Sequence, residues 1–289
     1  MNEAKMLNLF VKNKTIKKLF TGRSGGKKPV LVVKYGPPAS GKGSPPTRKA
    51  IESLGVRYDK MIHFNVDDVI ESLEQFKGAS RQQLKTTFEY LTNNSLPPNK
   101  MMKKLETNLN KIGKDQIDDF SKIYFNTRNT PINNKGTKVG QLMDDMMSKA
   151  MVMGLDISME TTGSFSFPDW LFSDPKLQPY IDKYQVVFVF PTVKCSTAWR
   201  RYKRRPIESY MRDGPFRFGS TKVGFANQYI KSYKAFIKNM PNLMVEKDVS
   251  YIVIGKSPTA RIYNNSPALG RLLDFVKDAK KFLKSADSR

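Results

Sequence analysis

The chain is short of the residue types on which much protein chemistry depends. It has one cysteine, Cys195, so no intrachain disulfide can form, and this usage fits a reducing, cytoplasmic setting. It has one histidine, His63, which argues against a histidine-rich metal centre and against a serine–histidine hydrolase triad. Next to Phe64, His63 reads as an ordinary strand residue. No apolar run approaches the roughly 18 residues of a membrane span. Acidic residues are few: 26 Asp+Glu stand against 50 Lys+Arg, a formal charge of +24. Such a field attracts polyanions (nucleic acid, nucleotides or an anionic membrane face) without choosing among them. The lysines are spread along the chain, so a solvated basic surface accounts for the charge equally well. The lysine- and asparagine-rich composition fits an AT-rich genome, such as that of a large DNA virus.

What is present suffices for a sizeable core. Over 289 residues, 18 Phe, 12 Tyr and 14 Met accompany a hydrophobic fraction of 39%, enough for one α/β domain with insertions. Residues 1–27 alternate Lys and Arg with Met, Leu, Ile and Phe, and end in Ser24-Gly25-Gly26. They read as a basic N-terminal arm or helix ahead of a domain spanning 28–289. Strands are expected at Val30–Tyr35, Met61–Val66, Leu155–Met159, Val186–Phe190 and Tyr251–Ile254, with helices between them. That alternation predicts a P-loop NTPase-type parallel sheet of about five strands, flanked by helices on both faces. A helical insertion is expected at about 77–150. Inside it, the methionine stripe of Val139–Val152 reads as core packing, and Asn126–Gly136 lacks periodicity and reads as a loop.

The first strand runs into Gly36-Pro37-Pro38-Ala39-Ser40-Gly41-Lys42-Gly43-Ser44. A strand followed by G-x-x-x-x-G-K is a phosphate-binding loop: glycines let backbone N–H groups turn inward, and the lysine carries a point charge to the outer phosphates. Gly36, Ser40, Gly41, Lys42, Gly43 and Ser44 are therefore the nucleotide-binding candidates. The hydroxyl that would meet Mg²⁺ comes one position late, at Ser44, as in adenylate kinase-like loops. Pro45 and Pro46 follow at once, which reduces the amides available to phosphate.

In such sheets ligands lie beyond the carboxyl ends of the strands. Asp67-Asp68 follow the second strand, Glu160 the third and the cluster Arg200-Arg201-Tyr202-Lys203-Arg204-Arg205 the fourth. Phosphoryl transfer requires a phosphate cradle, a metal, a carboxylate near the acceptor hydroxyl and cations over the transferring group. Asp67 is the candidate base, with helix capping as its alternative and Asp68 as the expected cap. Glu160 is a candidate for an acceptor hydroxyl or a Mg²⁺-bound water, or else simply shapes a turn. One or two arginines of the cluster, with Arg212 or Arg217 beyond it, are lid candidates.

These elements together resemble the zeta-toxin family of P-loop kinases. The loop from Gly36 to Ser44 is similar to the family's G-x-P-G-S-G-K-[ST]-[ST]. Phe64-Asn65-Val66-Asp67-Asp68 resembles its hydrophobic-D-x-D element, with Asn65 in place of the first Asp and Asp67 at the position of the base. Met159-Glu160-Thr161-Thr162-Gly163 resembles its E-x-T-G element, which implies substrate contacts for Glu160 and Thr162. Trp199-Arg200-Arg201-Tyr202 resembles its lid helix, which implies phosphate contact for Arg201, and Arg217 is a weaker match to a second lid arginine. The resemblance covers about residues 30–220, with no counterpart for 77–150. It implies a kinase using ATP and Mg²⁺ on a small hydroxyl acceptor, a sugar nucleotide such as UDP-N-acetylglucosamine in the family. Two other readings stay open: a polynucleotide 5′-hydroxyl kinase, and a non-catalytic basic nucleotide-binding or virion structural protein.

Overall fold

The computed structural model describes residues 28–92, 114–132, 136–163, 167–211, 220–255, 261–263 and 267–287. The expected basic arm and both Arg212 and Arg217 lie outside them.

The chain forms a six-stranded sheet of order β2-β3-β1-β4-β5-β6. Strands β1 (Val30–Tyr35), β2 (Ile62–Phe64), β3 (Ile157–Thr161), β4 (Gln185–Pro191) and β5 (Ser250–Ile254) run parallel; β6 (Arg261–Tyr263) pairs antiparallel to β5. This is the expected P-loop NTPase-type α/β fold, with one short edge strand that its three residues were too few to announce. Strand β1 lies at the centre because all six of its residues are buried, five of them Val, Leu or Tyr. A strand buried on both faces needs apolar side chains at every position rather than at alternate ones.

Among the described residues the two faces of the sheet are covered unequally. Leu31, Val33, Tyr35, Phe64, Ile157, Met159, Phe188, Phe190 and Tyr251 point into a large core. Helices α2 (Val66–Ser72), α5 (Val139–Val152), α7 (Cys195–Met211), α8 (Lys222–Lys247) and α9 (Pro267–Asp287) contribute to it. The opposite face presents Val30, Val32, Val187, Val189, Ile252 and Ile254, packed with Met61 and with Ala50 and Ile51 of one eight-residue helix, α1 (Pro45–Glu52). Each fully buried side chain of this kind contributes roughly 1.5–3 kcal/mol, so even the smaller face is a real core.

Among the described residues between α2 and β3, α3 (Glu74–Thr92) packs on α4 (Lys114–Asn129), and α5 follows. One short helix, α6 (Gln178–Ile181), precedes β4.

Two expectations need correcting. Residues 126–129 are not loop: α4 continues through Asn129. Packing of Phe120, Ile123 and Tyr124 on the core holds the segment helical, and the Thr127 and Thr130 hydroxyls donate to the carbonyls of Ile123 and Asn126. Strand β2 also ends early, at Phe64, because Asn65 caps α2: its Oδ1 accepts from the Asp67 N–H at 3.2 Å. Asp67 and Asp68 therefore occupy the first helical turn rather than a strand end, and the cap is Asn65, not Asp68.

Candidate functional site

The loop after β1 stands where the strand order reverses, between β3 and β4. That is the crevice where doubly wound sheets bind ligands. Its conformation depends on residues with unusual backbone angles: Gly36 has φ +148°, Gly41 φ +100° and Ala39 φ +58°. The first two suit glycine. Ala39 adopts a left-handed conformation at a cost of about 1–2 kcal/mol, at the position where the zeta-toxin pattern has glycine. The Gly36 N–H donates to the Thr161 carbonyl at 3.2 Å, tying the loop's entry to β3. Ser40 is buried, and its Oγ has no hydrogen-bond partner.

Lys42 is 6% exposed. Its ammonium donates to the Gly36 and Pro37 carbonyls at 2.8 and 3.1 Å and lies 3.6 Å from Glu160 Oε1. Burial pushes its pKa down. The Glu160 carboxylate opposes that most strongly, Asp67 also opposes it, and Arg205 and Lys34 add to it. A buried lysine with a lowered pKa, aimed along a glycine loop, is a group whose charge an anionic ligand would restore.

Ser44 precedes α1 with extended backbone, and its side chain makes no capping bond. Pro46 contributes to this, since it removes the N2 N–H, one of the two that such a cap would serve. The hydroxyl instead meets Thr47 Oγ1 at 3.2 Å, while Thr47 donates its own proton to the Gly41 carbonyl at 2.8 Å. Ser44 is therefore the donor in that pair, and its oxygen lone pairs remain suited to a cation. Among the described residues no group of three or more His, Cys, Asp or Glu side chains could hold a metal ion. A cation at Ser44 would thus share oxygens with its ligand.

Glu160 lies within β3, one residue before its end, rather than beyond the strand as expected. Each of its carboxylate oxygens faces a lysine: Oε1 faces Lys42, and Oε2 lies 3.5 Å from Lys34. The Thr162 carbonyl accepts from the Ser232 hydroxyl of α8, and Tyr35 Oη donates to the Ser232 and Gly163 carbonyls at 3.0 and 3.3 Å. Gly163 has φ +59°, and a Cβ there would overlap the Tyr35 ring. The Glu-Thr-Thr-Gly segment is thereby fixed to the aromatic core.

The Asp67 carboxylate accepts from Tyr124 Oη of α4 at 2.8 Å. The docking of α7 through Ala198, Trp199 and Tyr202 brings Arg201 beside the loop; its Nη1 lies 3.9 Å from where a Gly41 Cβ would be. Arg205, one helical turn later, acts on Lys42 electrostatically. The structure thus brings Lys42, Glu160, Asp67 and Arg201 around one loop.

No protein-family model and no curated protein matches the sequence. One solved structure, from a study of the PezAT chromosomal toxin–antitoxin system of Streptococcus pneumoniae, is similar over 100% of this chain and 98% of its own. Its TM-score is 0.52 at 10% identity, so the likeness is one of fold.

Lys34 and Tyr124 are residues beside the loop that sequence reasoning did not single out, and Arg205 is one that it gave only as part of the basic cluster. Lys34 carried a signal, a charge inside the apolar run Val30–Tyr35. Arg205 carried a weaker one, its i,i+4 spacing from Arg201. Tyr124 had none, since only packing of the insertion brings it to Asp67.

Proposed function

We propose that the protein is a P-loop kinase that transfers the γ-phosphate of ATP to a hydroxyl of a small acceptor. The observation that carries this reading is the grouping of a buried lysine, two carboxylates and two arginines around one glycine loop at the carboxyl end of the central strand. The fold likeness to a structure from a toxin–antitoxin study and the zeta-toxin-like motifs support it.

In this reading the amides of Gly41, Lys42 and Gly43, with the Ser40 hydroxyl, receive the phosphates, and Lys42 neutralises their outer oxygens. Ser44 would hold Mg²⁺, which supplies charge neutralisation on the phosphates. Asp67 accepts the acceptor hydroxyl's proton as the new O–P bond forms and the bond to ADP breaks. Tyr124 keeps the carboxylate oriented. Glu160 and Thr162 contact the acceptor, and Arg201 stabilises charge on the transferring group, with Arg217 as a second lid arginine. A sugar nucleotide is the acceptor class that the motif resemblance favours.

The test is transfer of γ-labelled phosphate to a panel of sugar nucleotides, nucleosides and oligonucleotides, comparing wild type with Lys42→Ala. Labelled product from the wild type and its loss in Lys42→Ala, at unchanged melting temperature, are expected. Equal transfer by both proteins would overturn the reading. Nucleotide binding with no transfer to any acceptor would favour a non-catalytic nucleotide-binding protein.

A further inference from the structure

Lys34 sits in the central strand with its side chain 7% exposed. A lysine there carries a desolvation penalty that an apolar residue of similar size would avoid, so its contacts are informative. In the parallel register Lys34 lies directly across from Glu160, and its ammonium approaches Oε2 at 3.5 Å. On its other side the ammonium donates to Tyr58 Oη at 3.4 Å and lies 5.8 Å from the centre of the Tyr58 ring. Arg48 covers the same ring at 5.2 Å, and the His63 ring packs against it, tilted by 40°, at 4.4 Å between centres. Tyr58 is thus held from three sides and holds Lys34 in turn.

Glu160 is shared between two lysines, one on the glycine loop and one on the central strand. Lys42 belongs to the loop, and its remaining bonds go to the Gly36 and Pro37 carbonyls. Lys34 is fixed in the sheet. When a polyphosphate draws Lys42 to itself, Glu160 loses one of its two cations beside an incoming polyanion. Two like charges in a partly buried site repel strongly.

We propose that Lys34 is a positioning residue of the nucleotide site: it neutralises and orients Glu160 so that Lys42 can pass from that carboxylate to a phosphate. The proposal rests on the kinase reading in that it takes the loop to bind ATP. It adds a residue outside the motifs and a reason for a charge in the core of the sheet.

The experiment is a double-mutant cycle read by MgATP affinity, with isothermal titration calorimetry on wild type, Lys34→Met, Glu160→Gln and the double variant. Lys34→Met is expected to weaken MgATP binding about tenfold, because an unneutralised Glu160 then faces the phosphates. In the Glu160→Gln background the same change should move Kd less than twofold. Lys34→Arg, which keeps the charge, should restore affinity to within about threefold of wild type. Equal losses in both backgrounds, or no loss in either, would overturn the proposal while leaving nucleotide binding intact. A wild-type chain that binds no MgATP would overturn both this proposal and the kinase reading. Should Lys34→Met fail to fold, Tyr58→Phe replaces it, removing only the hydroxyl behind the ammonium. A two- to threefold loss that disappears in Glu160→Gln is then expected, and the same loss in both backgrounds would count against the proposal.

Discussion

His63 is kept neutral by its surroundings. Its Nε2 lies 3.0 Å from the Tyr58 carbonyl, so the neutral ring carries its proton there and donates it. Burial pushes the pKa down to about 4, the Lys34 and Arg48 charges push the same way, and only the bond to Tyr58 opposes them. The unfolded imidazole titrates near 6.5. Between those two values the unfolded chain binds a proton that the folded chain refuses, so stability is highest above pH 6.5 and falls as the pH drops towards 4. At pH 5 the loss amounts to about 2 kcal/mol. Urea denaturation at pH 7.5 and pH 5 should show wild type losing about that much more stability than His63→Gln. Equal losses would mean that the histidine is solvated. Backbone demands act at the same scale. The left-handed angles of Gly163 and Ala39 belong to the two segments that frame the site, one locked by an aromatic ring and the other carrying strain inside the loop itself.

At the scale of elements, α4 carries Tyr124 to the site. Tyr124 meets Phe76 edge-on at 6.4 Å, and its hydroxyl closes on Asp67. Tyr124→Phe preserves that packing and removes one bond to the carboxylate. If Asp67 is the base of the kinase proposed above, this should lower kcat about 3–10-fold with little change in KM for ATP, since its orientation would matter in the transition state and not in nucleotide binding. A change in KM alone would place Tyr124 in substrate binding instead. Much of this was legible beforehand. The glycine loop, β1 and β4 announced themselves through unbroken apolar runs and turn residues at fixed spacing, and Glu160 through its place at a predicted strand end, whereas Arg201 stood out from its basic cluster only by the motif resemblance. Other features were silent for physical reasons. Asn65, Asp67 and Asp68 are all competent caps, and only the folded turn shows which one bonds the backbone. Tyr124 and Asp67 are 57 residues apart, and nothing local encodes their meeting. Arg201 and Arg205 share a helix with other basic residues, and the docking of Trp199 and Tyr202 decides which of them face the loop.

For the whole molecule, the uneven cladding of the sheet matters most. Beyond the one short antiparallel edge strand, order in the thinner layer depends on α1, whose first turn is also the end of the glycine loop. Anything that grips that turn therefore also pins the roof of a hydrophobic compartment. MgATP at a hundredfold excess over its Kd should raise unfolding stability by about 2.7 kcal/mol. Hydrogen exchange should slow beneath α1, at Val187, Val189 and Ile252. Fuel and keystone would then be the same molecule, and a cell exhausted of nucleotide would hold this protein in its loosest and most easily digested form.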